Sequence, residues 1–267
     1  MKDMRKYLEA YDFSNLDHFE FETARDVKQY RNDMINGFGR LLSLEDRYKD
    51  SPALVMGLGP SLLDIDKKKY QNHLKIVCNN FHKVDNFFDD SFKPNFSYDA
   101  LREPFSVCLE RNINIIISIP IKKEFENILE ISKNKGFKDN LISTWLWGDK
   151  LFQNVLSQKY STQSKYSHCN TITNHMIGYA LWMGCNPINI VGFDLSYSKS
   201  LNKIGYTHAG FSDATNKQKE NDPFQDPSQR SQIINDLKYL CSIAKKNNIK
   251  INNLSYKLNG LPYKLSY

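Results

Sequence analysis

Four apolar residues, Ala53-Leu54-Val55-Met56, run directly into Gly57-Leu58-Gly59-Pro60-Ser61, after which Leu62, Leu63 and Ile65 open a helix-like pattern. The reading is a strand, a tight turn and a helix start, and the rest of the chain can be organised around it. Gly57 and Gly59 can take positive φ and let a ligand approach the main chain, Pro60 suits the first helical turn, and Ser61 can help cap it. Such a turn presents backbone N–H groups and the positive end of a helix to a phosphate or carboxylate. The same turn also serves as a βα connection that binds nothing. Here the third glycine of the dinucleotide fingerprint is missing, and no lysine precedes Ser61.

Downstream, strand candidates at 53–56, 74–78, 95–98, 112–119, 141–147, 188–191 and 250–254 alternate with helical patterns at 122–134, 171–183 and 228–247. This alternation predicts an α/β, Rossmann-like fold, a mostly parallel sheet with helices on both faces. Residues 1–50 carry Val27, Tyr30, Met34, Phe38 and Leu41-Leu42 at helical spacing among many charges. They are expected to form a helical lead-in packed on the main domain, which spans 51–267.

In a sheet of this kind ligands bind beyond the C-terminal ends of the strands. Those ends carry Gly57 to Ser61 after the first strand, Asn79-Asn80 after the second, Tyr98-Asp99 after the third and Gly192-Phe193-Asp194 after the sixth. Asn and Asp are ordinary turn formers, so each alone says little, but four such ends on one rim favour a site. Asn170-Thr171-Ile172-Thr173 opens the helix that leads to the 188–191 strand. Thr171 and Thr173 can cap that helix, hold a phosphate or ribose at its N-terminus, or do both.

The segment 196–227 is polar and aperiodic, long enough to be functional or disordered, and holds Tyr206-Thr207-His208. Histidine has an unperturbed pKa near neutrality, and a loop histidine following the Asp194 strand end is the best general acid/base candidate among the six. His18 lies in the lead-in, His73 precedes a strand, His82 follows the Asn79 turn, and His168 and His175 flank the Thr171 helix start.

Composition narrows the class. The chain has 267 residues, 40% of them hydrophobic and 13% aromatic, enough for a sizeable core. The formal charge of +6 is scattered in short lysine clusters, which does not imply nucleic acid as a partner. Five cysteines, far apart and without metal-ligand spacing, favour a reduced cytoplasmic protein. The charged first twelve residues lack the apolar core of a signal peptide. No apolar run is long enough to span a bilayer, which leaves peripheral membrane contact open.

The order of these pieces resembles the domain-of-unknown-function 115 group, described as hydroxymethylpterin pyrophosphokinase-like, and more distantly the bacterial CMP-sialic-acid-dependent sialyltransferases. The matching residues are Val55 to Leu62, Cys78-Asn79-Asn80-Phe81, Tyr98-Asp99, Asn170-Thr171-Ile172-Thr173 and Ile190 to Tyr197, with Tyr206-Thr207-His208 and Ile249 to Ser255. The resemblance implies a Rossmann-like transferase. It carries nucleotide binding onto Gly57, Gly59, Ser61 and Asn79, and Pro60, Asp99, Asn170, Thr171, Thr173 and Asp194 complete the candidate nucleotide-binding residues. It makes Tyr197, Tyr206 and His208 the groups that assist departure of the nucleotide phosphate. Leu58 and Asp99 stand where those sialyltransferases have asparagines; a carboxylate beside a phosphate repels it unless it bonds ribose or a cation intervenes, which admits Mg²⁺ at Asp99.

The reading placed first is a glycosyltransferase that moves a sugar from a nucleotide-activated donor, with a CMP-sugar favoured, onto a surface glycan or protein. The second is a pyrophosphokinase that moves diphosphate from ATP to a pterin alcohol, with Asp99 and Asp194 as metal-binding carboxylates. The third is a non-catalytic nucleotide-binding module, which would keep Gly57 and Asn79 and tolerate loss of His208.

Overall fold

The computed structural model describes residues 36–37, 39–78, 81–84, 87–99, 104–117, 141–143, 156, 159–161, 172–193 and 227–255. Their strands are β1 (Ala53–Met56), β2 (Leu74–Cys78), β3 (Phe96–Asp99), β4 (Asn114–Ile117), β5 (Leu141–Ser143), β6 (Ile188–Val191) and β7 (Ile251–Asn253). They form one sheet in the order β5-β4-β3-β2-β1-β6-β7, and each neighbouring pair is parallel. The chain therefore builds outward from β1 to β5, then returns to the other side of β1 for β6 and β7. That reversal is the topological switch point of a Rossmann-like sheet, and it falls between β1 and β6.

Every residue of β1, β2 and β6 is buried, on both faces of the sheet, as parallel strands covered on each side require. The polar member of β6 is accommodated by pairing: Asn189 Nδ2 donates to the Ala53 carbonyl (3.2 Å), and its Oδ1 accepts from Asn252 Nδ2 (2.8 Å). This amide chain ties β7, at the sheet edge, to β6 and β1.

Three α-helices have both ends among the described residues: α1 (Pro104–Glu110), α2 (Ile172–Trp182) and α3 (Pro227–Lys246). All three end the same way. Asn112 (φ 51), Gly184 (φ 79) and Asn248 (φ 56) take the left-handed conformation just past the helix. The next amide then reaches back five residues: Ile113 to Cys108 (2.8 Å), Cys185 to Ala180 (3.0 Å) and Ile249 to Ala244 (2.8 Å). This closure satisfies the terminal carbonyls and turns the chain sharply into the following strand. It also explains why β4 begins at Asn114 and not at 112 as predicted, since Asn112 is taken up in the cap of α1.

Helix α2 packs on β1, β2 and β6, with α3 beside it. It is buried along almost its whole length. Asn174 Nδ2 donates to the Ile233 carbonyl of α3 (3.1 Å). At the other end of α2, the amides of Asp46, Tyr48 and Asp50 donate to the carbonyls of Trp182, Met183 and Gly184. Lys159 Nζ adds contacts to Trp182 O (2.7 Å) and Leu181 O (3.2 Å), balanced by Asp46 Oδ1 at 2.6 Å. Of the expected lead-in, residues 39–43 are helical, Leu41 and Leu44 enter the core, and Leu41 O accepts from Trp182 Nε1 (2.8 Å). The helical pattern at 122–134 lies outside the described residues.

The four described cysteines, Cys78, Cys108, Cys185 and Cys241, are free and buried. Burial pushes the Cys185 and Cys241 thiols up to about 12, which leaves them protonated and unreactive. Among the described residues no helix is long and apolar enough to cross a membrane.

Candidate functional site

At the switch point, β1 and β6 run in register to Met56 and Val191, and the backbone contact continues past both. The Gly57 N–H donates to Val191 O (2.9 Å) and the Gly59 N–H to Gly192 O (2.8 Å). A Cβ built on Gly57 would overlap the Gly192 carbonyl oxygen and lie 2.9 Å from its carbon, and a Cβ on Gly192 would strike Gly57 in the same way. Gly192 also takes φ +68.

These contacts correct two expectations from the sequence. Among the described glycines only Gly184 and Gly192 have positive φ, and Gly59 is extended (φ −74, ψ 163). Gly57 is required because two backbones touch there, not for an unusual φ. The N–H groups of Gly57 and Gly59, expected to face an anion, instead prolong the β1–β6 ladder. Beyond Gly59 the expected helix start is a five-residue 3₁₀ helix, Pro60–Asp64, with Pro60 in its first turn.

Ser61 does not cap that turn, which has no side-chain cap. Its Oγ accepts the Gly192 N–H (3.0 Å) and lies 3.2 Å from Ser255 Oγ, which accepts the Phe193 N–H (2.9 Å). Ser61 and Ser255 are both buried. Ser255 entered the sequence reading only as the last residue of the Ile249-to-Ser255 stretch and was not singled out for the site.

Helix α2 supplies the other wall. It runs antiparallel to the strands, so its N-terminal end stands at the rim where β1 and β6 finish. Thr173 Oγ1 lies 3.4 Å from the position of a Cβ on Gly57, so the structure brings together the Gly57 turn and the Thr173 helix start. The partial positive charge of a helix N-terminus is thereby placed at the switch point. Just inside, the His175 ring stacks on Tyr98 of β3 (centroids 5.2 Å apart, planes at 24°), and Tyr179 tilts against the Tyr98 ring at 5.7 Å. Tyr98 is level with Cys78 of β2. Sequence reasoning noted His175 only as flanking the helix start; its signal was the polar run Thr173-Asn174-His175 in an otherwise apolar helix.

Asp99 closes β3 opposite Ile117, on the same rim; its side chain, like that of Pro60, is outside what is described. Asn79, Asn170, Thr171, Asp194, Tyr197, Tyr206 and His208 all lie outside the described residues. Among the described side chains no group of three or more His, Cys, Asp or Glu could hold a metal ion.

No family model matches the chain, and no curated protein does. Solved structures do. The chain is similar to the sialyltransferase CstII from Campylobacter jejuni in complex with the substrate analogue CMP-3FNeuAc, with a TM-score of 0.50 and 18% identity over 81% of this chain and 88% of that one. An alpha-2,3-sialyltransferase from Campylobacter jejuni in apo form aligns with a TM-score of 0.45 and 17% identity over 80% of each chain. At such identity the first likeness is one of fold, and it agrees with the Rossmann-like sheet described above.

Proposed function

We propose that the chain is a sialyltransferase-like glycosyltransferase that takes a sugar from a nucleotide-activated donor, a CMP-sugar in the first instance, and passes it to a glycan or protein acceptor. One observation carries this reading: the β1/β6 switch point and the N-terminal end of α2 meet on one rim, with Thr173 Oγ1 against Gly57. A strand-end crevice faced by a helix N-terminus suits a phosphate-bearing ligand. The fold shared with an enzyme solved in complex with CMP-3FNeuAc supports the donor class.

In this reading Asn170, Thr171 and Thr173 hold the donor phosphate at the end of α2, because the amides of Gly57 and Gly59 are already engaged. Asn79 and Asp99 reach base or ribose from the ends of β2 and β3, Asp194 serves from the end of β6, and the Gly57-to-Ser61 turn with Pro60 forms the floor. The acceptor hydroxyl forms a bond to the anomeric carbon and releases its proton to solvent, from which His208 regains the proton it gives to the leaving phosphate. The anomeric C–O bond breaks with its electron pair passing to the nucleotide phosphate. His208 protonates that leaving phosphate, with Tyr197 and Tyr206 donating hydrogen bonds to its oxygens. Asp99 is the carboxylate that would bind Mg²⁺, and no step depends on it.

The test is release of CMP from CMP-sialic acid. His208→Ala should lower turnover about 10²- to 10⁴-fold with little change in donor affinity. Wild-type turnover in His208→Ala, with loss in Tyr206→Phe, would move the proton donor to the phenol.

A further inference from the structure

The turn that ends β6 is held by two hydroxyls from distant parts of the chain. Ser61 follows β1 and Ser255 follows β7, 194 residues apart in sequence, yet their Oγ atoms lie 3.2 Å from each other. Each accepts one of two consecutive amides: Ser61 takes that of Gly192 (3.0 Å) and Ser255 that of Phe193 (2.9 Å). Ser255 is itself oriented by the Asn253 side chain, whose Oδ1 accepts the Ser255 N–H (2.9 Å). Leu254 N–H adds a bond to Ile190 O (2.7 Å), which seats this end of β7 against β6. The peptide that leads into Asp194 is thus gripped from both neighbouring strands.

A hydroxyl pair is not needed merely to fill this space, since two alanines would leave only small voids. It supplies hydrogen-bond acceptors for two buried N–H groups that have left the β-ladder, where an unsatisfied amide is costly. We propose that Ser61 and Ser255 are positioning residues of the nucleotide site. They fix the Gly192-Phe193 peptide, and so the point from which Asp194 departs, against the Gly57 turn. This deepens the nucleotide-transferase reading and rests on it. Ser61, in the floor of the proposed site, supports it through Gly192.

The experiment combines amide exchange by NMR with calorimetric titration of CMP, on wild type, Ser255→Ala and Ser61→Ala. In Ser255→Ala the Phe193 amide should exchange at least about tenfold faster, and CMP affinity should fall about tenfold while unfolding stays cooperative. Ser61→Ala should do the same through the Gly192 amide. If Ser255→Ala does not fold, Ser61→Ala decides on the same two readouts. Wild-type CMP affinity in a folded variant whose amide has been released would overturn the proposal. Failure of the underlying reading is a different result, because wild-type protein would then bind no CMP at all.

Discussion

Gly57 and Gly192 stand back to back at the ends of adjacent strands, so close that neither has room for a Cβ beside the other's carbonyl group. This contact seals β1 to β6 at the switch point and sets the rim from which both turns leave.

Gly57→Ala should therefore destabilise the fold by about 1–3 kcal/mol, the usual cost of overpacking. Gly192→Ala should cost about 1–2 kcal/mol more, because it also imposes a left-handed conformation on alanine. The two changes compete for one gap, so the double variant should lose less than the sum. Urea unfolding of the three variants checks this, and strict additivity would contradict the contact.

The acid response has a separate source. Asp89 accepts hydrogen bonds from Ser91 Oγ (2.5 Å), Lys67 Nζ (3.1 Å) and the Phe92 amide (2.9 Å). The Ser91 hydroxyl first, then Lys67, hold its carboxyl down from an ordinary 3.8 to about 2. A depressed carboxyl stabilises the fold above its unfolded pKa and loses that contribution as pH falls through its folded one. The window is thus from about 4 down to about 2. A carboxyl-detected titration should give an Asp89 midpoint near 2, rising towards 3.8 in Ser91→Ala.

Thr173 lies where α2 meets the Gly57 turn. Thr173→Val keeps the shape and removes the hydroxyl, so CMP affinity should fall several-fold while the midpoint of thermal unfolding moves by only a few degrees. Unchanged affinity would remove the Thr173 hydroxyl from the phosphate contacts.

The sheet was legible because buried parallel strands read as short β-rich apolar runs: β1, β2 and β6 keep their predicted bounds, β3 is shifted by one residue, β7 is one residue shorter at each end, and the predicted residues 118–119 and 144–147 beyond β4 and β5 lie outside the described residues. Helix α1 was not legible, since seven residues are too few to show a helical period, although Pro104 and Asn112 marked its two ends. Gly57 was legible as a required glycine, but its reason lies in Gly192, and a tertiary partner leaves no local trace. Ser255 was beyond reach for the same cause: its role exists only once β7 lies beside β6. Gly57 was named from the strand ends and Thr173 from the start of a helix, and the parallel topology brings the two together.

Everything proposed for this chain turns on a cytidine nucleotide binding at the β1/β6 rim. Thermal unfolding with CMP, UDP, GDP and ATP, each with and without Mg²⁺, probes that binding without assuming an acceptor. Ligand at a hundred times its dissociation constant stabilises by about 2.7 kcal/mol, well within detection. CMP should raise the unfolding temperature more than the other three. No shift with any nucleotide, or a shift with ATP and Mg²⁺ alone, would overturn the assignment.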